Sequence, residues 1–358
     1  MMTTRVLHRA APLMITAAAL LSTVWITADR TAAHADEPKL VVFTTIPDWA
    51  ALAEEVGGDR VTASSMVFGR EDAHFSEPRP SFIKKLAGAD MFITTGLGLE
   101  RGYEESMLTA ARNPRVQSGR PGYVVAATAI TPMQQQRNVP ITRAMGDLHA
   151  QGNAHFNVDP ISGLAVAALI RDRLSQIRPA AAGYFAGRYD RFKARVGEKL
   201  VGKTLAEKYD ATKLAALAGH GKLDSFLEAQ GDRAQLQGWL GMMSPYRNAK
   251  VIDDHPMWPY FAERFGIVIV GNLEKTPGIQ PSTSHMKAVV ETMNAQGVQV
   301  IIKAAYYDPR FARFVADKTG ATIAELAHQV GAVPGTDDYL SMIDYNVRTL
   351  ADAFARSD

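Results

Sequence analysis

The sequence contains no cysteine in its 358 residues. Disulfide bonds and thiolate metal ligands are therefore excluded, and any metal site has to use histidine, aspartate or glutamate. A lipid anchor on an amino-terminal cysteine is excluded as well, so we predict that the protein is not a lipoprotein.

The sequence also has only one long apolar run, which spans residues 11–28. Arg5 and Arg9 precede this run, and the small residues Ala33 and Ala35 follow it in an A-x-A pattern that is typical of a cleaved secretory signal. We therefore predict a signal peptide over residues 1–35 and a periplasmic mature chain, with an uncleaved membrane anchor as the alternative. A protein that crosses the membrane several times is excluded.

An excess of charge of one sign is missing too. The chain has 39 basic and 37 acidic residues, and the leader holds three arginines and one aspartate, so 36 of each remain in the mature part. A neutral chain lacks the basic footprint of a nucleic-acid-binding protein, and we predict no nucleic-acid partner.

Short apolar runs alternate with helical patterns in two parts of the chain. Such alternation predicts parallel sheets with helices on both faces, that is, an α/β fold with two doubly wound lobes. The predicted strands are 40–46, 61–67, 91–96 and 123–128 in the first lobe, and 250–254, 267–273, 298–305 and 321–327 in the second. Asp48 is predicted to cap the first helix, and Asp308 with Pro309 to start a later one.

Between the two parts lies a stretch with an almost continuous helical period that begins at Asp159-Pro160. We predict one long interlobe helix over 159–199, bent at Pro179 or divided there into two abutting helices. The predicted domains are therefore an amino-terminal lobe at 36–158 and a carboxy-terminal lobe at 200–358.

Four histidines follow predicted strands, where open α/β sheets bind their ligands. His74 and His155 belong to the first lobe, and His255 and His328 to the second. Neutral imidazole is a good zinc ligand, and a tetrahedral zinc site takes four such groups. Their positions predict a shared metal site in the cleft between the lobes, although the long separations along the chain do not prove it.

Four segments resemble the metal-binding periplasmic solute-binding proteins that supply zinc or manganese to ABC importers, and the resemblance covers nearly the whole mature chain. "GREDAHFSEPRPSFIKKLAGADMFITTGLGLE" (69–100) resembles the first ligand motif of that family and the helix and strand after it. "GDLHAQGNAHFNVDP" (146–160) is similar to the second ligand motif, and "VIDDHPMWPYFAERFGI" (251–267) to the third. "GTDDYLSMIDYNVRTLADAF" (335–354) matches the usual carboxy-terminal segment.

The resemblance implies that His74, His155 and His255 bind the metal. Alanines stand where the family has prolines before the first two ligands, and the loop "LAHQVGA" has Ala327 near the place of the family's usual aspartate. We therefore predict His328 as the fourth ligand, with water, Glu77 or Asp254 as alternatives. A site of four histidines favours zinc over manganese, which prefers oxygen ligands.

Three other histidines remain in the mature chain. His149 is a candidate auxiliary ligand, whereas His220 and His285 are predicted to lie on the surface. The loop before the second ligand has none of the histidine-rich or acidic runs that zinc-importing relatives often carry.

The preferred function is an extracytoplasmic, monomeric binding protein that delivers one divalent metal ion to the membrane permease of an ABC importer. The alternative is a secreted zinc hydrolase with three histidines and an open fourth position. A third possibility is a binding protein for another solute, in which the histidines donate hydrogen bonds. Motifs of dinucleotide-binding proteins, serine hydrolases, P-loop proteins and metalloproteases are missing, which favours a protein that is not an enzyme.

Overall fold

The structure is a computed structural model that describes residues 1–2, 37–134, 151–274 and 279–357, apart from the side chain of Phe75. The predicted signal peptide falls almost entirely outside these ranges, and so does His149. Lys39–Asp358 form one compact unit. No helix in the described ranges has the length and apolar character needed to cross a membrane.

The first lobe is built on a four-stranded parallel sheet in the order β2-β1-β3-β4. Its strands are β1 (Leu40–Thr44), β2 (Val61–Ser65), β3 (Met91–Thr94) and β4 (Tyr123–Val125). Its helices are α1 (Pro47–Gly57), α2 (Pro80–Gly88) and α3 (Glu104–Ala111).

A pair of helices follows the first lobe, α4 (Pro160–Ile177) and α5 (Ala182–Val201). The single long helix is therefore wrong, and the two-helix alternative is correct. Pro179 begins a short 3₁₀ turn, Pro179–Ala181, because proline cannot donate the backbone hydrogen bond that a continuous helix needs there. The predicted start is confirmed, since the Asp159 carboxylate accepts hydrogen bonds from the backbone nitrogens of Ile161 and Ser162.

Short helices lead into the second lobe: α6 (Lys203–Lys208), α7 (Ala211–Gly219), α8 (Leu223–Ala229) and α9 (Gly238–Met243). The second parallel sheet has the order β6-β5-β7-β8 and therefore repeats the arrangement of the first. Its strands are β5 (Lys250–Asp253), β6 (Val268–Asn272), β7 (Val300–Ala304) and β8 (Thr322–Leu326). Its helices are α10 (Pro259–Phe265), α11 (Thr283–Gln296), α12 (Pro309–Thr319) and α13 (Tyr339–Ser357).

One continuous apolar core joins the two lobes, since it includes residues of both sheets together with residues of α4, α5 and α13. A second, smaller core fills the space between β5, β7 and helices α11 and α12. The prediction of two parallel α/β lobes is confirmed. Because the larger core runs through both of them, neither lobe has a fully separate interior.

Two details of the helix predictions need correction. Asp48 is not a cap: α1 begins at Pro47, and Asp48 lies buried in its first turn. Helix α3 was not predicted, because its short, weakly amphipathic sequence carries little periodic signal. Asp308 does cap α12, through a hydrogen bond from the backbone nitrogen of Arg310, with Pro309 in the first helical position.

Candidate metal centre

His74 is held by a tight turn after β2. Asp72 begins this 3₁₀ turn, and its Oδ1 accepts a hydrogen bond of 2.9 Å from the backbone nitrogen of His74. The same oxygen lies 2.7 Å from Nδ1 of the His74 ring. Burial raises the pKa of Asp72, but the hydrogen bonds and the charge of His74 lower it further, so that the pKa lies below its usual value. Asp72 thus fixes both the backbone and the ring of His74.

His155 lies in the segment that leaves the first lobe, just before α4. Its backbone nitrogen donates to Oδ1 of Asn153 at 2.9 Å, while the Asn153 amide donates to the carbonyl of Pro256 at 2.7 Å. The Tyr260 hydroxyl donates to the Asn153 carbonyl at 2.9 Å. Asn153 therefore attaches the His155 segment to the second lobe.

His255 follows β5 directly and is 1% exposed. Its backbone nitrogen donates to Oδ1 of Asp254, whose Oδ2 accepts from the backbone nitrogen of Ala304. Burial raises the pKa of Asp254 to about 6. Nδ1 of His255 lies 2.8 Å from Oε2 of Glu274, which follows the neighbouring strand β6.

His328 lies in the loop after β8. Asn346 of α13 holds the backbone of Ala327 on both sides, through hydrogen bonds of 2.7 Å to its nitrogen and its carbonyl. Asn157 donates to the carbonyl of His328 at 2.6 Å, and the ring of Trp258 meets the His328 ring edge-on. The His328 loop is therefore held by three separate elements.

The ring of His328 has a chemical peculiarity. Its Nε2 is buried and has no hydrogen-bond partner among the described residues. Burial lowers the pKa of His328 to about 3, so the ring is neutral at physiological pH and keeps a lone pair available for a ligand. A buried polar nitrogen without a partner is costly, and a bound ion or water is one explanation for its presence.

The four histidines come together although they are far apart in the sequence. The ring centres are 5.1 Å apart for His74 and His155, 4.9 Å for His155 and His328, 6.0 Å for His155 and His255, and 6.3 Å for His74 and His255. Imidazoles that share one tetrahedral zinc at about 2.0–2.1 Å have ring centres roughly 5 Å apart. His155 thus lies at about this spacing from His74 and from His328, whereas the His255 ring lies farther out, at 6.0 and 6.3 Å from the rings of His155 and His74.

The donor atoms themselves are not yet assembled. Within the described ranges, no group of three or more His, Asp or Glu side chains has the arrangement of a finished metal site. The structure therefore brings the four rings together as neighbours, but their arrangement by itself does not define a metal site.

The space beside these rings is small. A cavity of about 10 Å³ is lined by His74, His155 and His328 together with Tyr306 and Gln329. This volume is roughly that of one water molecule. A space of this size admits one water molecule or one ion.

The other candidates lie elsewhere. Glu77 is exposed, and both carboxylate oxygens of Asp254 accept hydrogen bonds from backbone nitrogens. His220 is exposed at the end of α7, as predicted. His285 is in the first turn of α11 but is half-buried rather than on the surface, with Nε2 3.0 Å from the carbonyl of Asn272.

The two lobes touch next to the histidines, at a place that we call the lobe contact: residues 69–71 of the first lobe against residues 329–332 of the second. A Cβ atom on Gly69 would lie 2.4 Å from backbone atoms of residues 330–332. Arg70 Nε donates to the carbonyl of Ala332 at 2.9 Å, and Gln329 Nε2 donates to the carbonyl of Glu71 at 3.3 Å. Sequence reasoning missed this contact, because nothing in a local pattern shows which backbone a glycine approaches.

Sequence reasoning also missed Glu274 as a partner of His255. A signal was present, since Glu274 follows β6 in the same way that the histidines follow their strands. Asp72 was missed as a partner of His74 as well. Glu274 lies behind the His255 ring, whereas Asp72 lies behind the His74 ring and also lines the cavity.

Two parallel α/β lobes with a histidine cluster where the strand ends meet define the class: a two-lobed α/β fold of the kind that binds a ligand between its lobes. The chain matches the family described as zinc-uptake complex component A, periplasmic (ZnuA), over residues 42–231 and 234–353. These ranges cover most of the sequence, and the chain belongs to this family of substrate-binding proteins of metal ABC transporters.

Individual relatives are similar over nearly their full lengths. The metal ABC transporter substrate-binding lipoprotein SloC of Streptococcus mutans is 21% identical, over 96% of this chain and 98% of its own. The iron-binding protein YfeA of Yersinia pestis is 23% identical, over 94% and 93%. The manganese ABC transporter substrate-binding lipoprotein PsaA of Streptococcus pneumoniae is 21% identical, over 89% and 90%. The names of these relatives thus cover more than one metal.

Solved structures show the same fold. A crystal structure of ZnuA superposes with a TM-score of 0.63 at 20% identity, covering 88% of this chain and 99% of the other. A cadmium-bound periplasmic metal-binding protein from Candidatus Liberibacter asiaticus gives a TM-score of 0.60 at 16% identity, with the same coverage. At these identities the structural likeness supports the fold alone.

Proposed function

We propose that this protein binds one divalent zinc ion between its lobes with His74, His155, His255 and His328, and delivers it to the membrane permease of an ABC importer. The observation that carries the proposal is the convergence of four imidazoles, two from each lobe, with ring centres 4.9–6.3 Å apart in the four neighbouring pairs. Family membership supplies the transport role, since substrate-binding proteins of metal ABC transporters work with a permease and an ATPase.

Zinc is proposed over manganese because of the donor set. Four imidazole nitrogens suit zinc, whereas manganese prefers carboxylate and other oxygen ligands. His328 is proposed as the fourth ligand because its Nε2 is buried without a partner among the described residues. Asp254 is a weaker candidate, since backbone nitrogens already occupy both of its oxygens.

The remaining parts of the proposal concern the whole chain. We propose a signal peptide over 1–35, a periplasmic and monomeric protein without a lipid anchor, and lobes at 36–158 and 200–358 joined by the segment 159–199. The protein is proposed not to be an enzyme. The names of its relatives describe substrate binding and metal binding, and none of them supports the hydrolase alternative.

Metal release is proposed to depend on local movement of the site loops rather than on a large hinge. The continuous core through both lobes supports this view, and so does the buried ion pair between Arg264 of α10 and Asp159, in which Nε lies 2.7 Å from Oδ1. Protonation of the histidines as the pH falls toward 6 is the alternative route of release.

Metal titration tests the proposal. The mature protein is stripped with a chelator and titrated with zinc and, separately, manganese against a competing chromophoric chelator. We expect one zinc per chain, bound more tightly than manganese, with affinity greatly reduced in His328→Ala and unchanged in the exposed control His220→Ala. Tighter binding of manganese, or no effect of His328→Ala, would contradict the proposed metal or the proposed fourth ligand.

A further inference from the structure

Two of the four histidines carry a carboxylate behind the ring. Nδ1 of His74 lies 2.7 Å from Oδ1 of Asp72, and Nδ1 of His255 lies 2.8 Å from Oε2 of Glu274. One such pair belongs to each lobe. Nδ1 of His328, in contrast, faces the neutral hydroxyl of Tyr306 at 3.5 Å.

A carboxylate at this distance decides which ring nitrogen carries the proton. Nδ1–H donates to the carboxylate, so Nε2 is left as the nitrogen with a free lone pair for a ligand. The carboxylate also pulls on the Nδ1 proton and makes Nε2 a stronger donor to a cation. The ring is therefore set in advance for metal coordination through Nε2.

The surroundings make both carboxylates firm supports. The side chain of Glu274 is 13% exposed and that of Asp72 18%, while the rings of His255 and His74 are 2% and 8% exposed. Asp72 is also tied to the backbone nitrogen of His74, and the backbone nitrogen of Glu274 donates to the carbonyl of Asp254. Each carboxylate is thus anchored to the segment that carries its histidine.

We propose that Asp72 and Glu274 are positioning residues for the metal site, one in each lobe, which hold His74 and His255 in the Nδ1–H tautomer and supply the negative charge that offsets a divalent cation. This inference rests on the proposed function for its metal, but its effect on the tautomers exists without any metal. The two pairs together place two negative charges behind an otherwise neutral set of imidazoles.

The first experiment uses the metal-free protein, labelled with ¹⁵N in histidine, with tautomers measured by long-range ¹H–¹⁵N NMR at pH 8. Signals are assigned with the His→Gln variants. We expect Nδ1–H for His74 and His255 in the wild type. In Asp72→Ala, His74 should gain Nε2–H character, and in Glu274→Ala, His255 should do so. An Nε2–H tautomer of either ring in the wild type would overturn the proposal.

The second experiment measures zinc affinity in Asp72→Asn and Glu274→Gln, which keep the shape and a hydrogen-bond acceptor but lose the charge. Outer partners of metal-bound histidines are typically worth about 10- to 100-fold in affinity, and we expect a loss of that size in each variant. The matched control is Asp210→Asn, since Asp210 is an exposed helix cap that asparagine replaces well.

The results of the two experiments distinguish the ways in which the proposal can fail. Full affinity in both charge-removed variants would refute the electrostatic role even if the tautomers are as expected. If zinc affinity falls only in proportion to a loss of thermal stability in the metal-free variants, both residues are structural supports rather than positioning residues. If the wild type binds no zinc, the proposed function fails, whereas the tautomer result still stands or falls independently.

Discussion

The two lobes have the same strand order, and each contributes two histidines to the cluster, yet the lobes support these histidines differently. In the first lobe the carboxylate partner, Asp72, lies two residues before His74 in the same turn. In the second lobe the partner, Glu274, lies 19 residues from His255 and follows another strand. The same chemical arrangement is thus built once from local sequence and once from tertiary structure.

The interiors of the lobes differ in the same way. The first sheet packs into the core that runs through the whole molecule, whereas the second sheet has a share of that core and a second core of its own. The second lobe therefore has apolar support that does not depend on its partner. The predictions below test how far this difference between the lobes extends to binding and stability.

The largest expected effect is on binding. His74→Ala in the first lobe and His255→Ala in the second should each lower zinc affinity by more than about 100-fold, because loss of a ligand exceeds the loss of an outer partner. Competition titration measures both, with the exposed His220→Ala as control. If only one lobe's variant loses affinity, the ion is bound by one lobe and the proposed bridging site is wrong.

The junction between the lobes should respond strongly to loss of a buried charge. Arg264→Met leaves Asp159 buried without its partner, and removal of one member of a buried ion pair typically costs about 3–5 kcal/mol. Urea unfolding of the metal-free protein should show a loss of this order. Arg195→Met, which breaks an exposed pair with Glu55, should cost less than about 1 kcal/mol. Equal losses would show that burial at the junction is unimportant.

Each lobe buries a carboxyl group beyond its central strand, Asp48 after β1 and Asp254 after β5. Burial raises the pKa of Asp48 from 3.8 to about 7, although a hydrogen bond from Asn157 lowers it in part. Between these two pH values the folded state holds a proton that the unfolded chain has released. The stability that comes from holding this proton is full below about pH 3.8 and is lost as the pH rises through 7. At alkaline pH the folded wild type holds a buried, ionised carboxylate, which lowers its free energy of unfolding.

Asp48→Asn removes that dependence. The free energy of unfolding of the variant minus that of the wild type should therefore rise by on the order of 2 kcal/mol from pH 5 to pH 8. Urea unfolding at both pH values measures the difference. A constant difference across this range would mean that Asp48 is ionised in the folded protein.

The smallest expected effect is on the rate of metal release. Gly69→Ala places a methyl group against the backbone of residues 330–332 and should push the lobe contact apart. We expect zinc to dissociate about tenfold faster, measured by transfer to excess chelator in a stopped-flow experiment. Gly88→Ala, where a Cβ meets nothing within 4 Å, is the control. An unchanged rate in Gly69→Ala would show that the lobe contact does not limit release.

Much of the fold could be predicted from the sequence, because the apolar strands alternate with helices at close to their observed bounds. The interlobe stretch was predicted to bend or divide at Pro179, and it divides there because the missing backbone donor outweighs the continuous helical period. Asp48 resembled a helix cap, but α1 begins at Pro47, two residues earlier than a cap at Asp48 implies.

The convergence of the histidines could be expected from their position after strands, whereas their surroundings could not. Asp72 is close to His74 in the sequence, so a local pattern contains it. Glu274, the Asn157 contact to His328 and the Gly69 approach to residues 330–332 depend on how two distant segments pack. Local periodicity carries no information about such contacts.

X-ray absorption at the zinc edge of the loaded protein tests the central claim most directly. The account predicts four nitrogen neighbours at about 2.0–2.1 Å with the multiple-scattering pattern of imidazole, and one imidazole fewer in His328→Ala. A wild-type spectrum with only three imidazoles and an oxygen neighbour, unchanged in His328→Ala, would contradict the four-histidine site that bridges the two lobes.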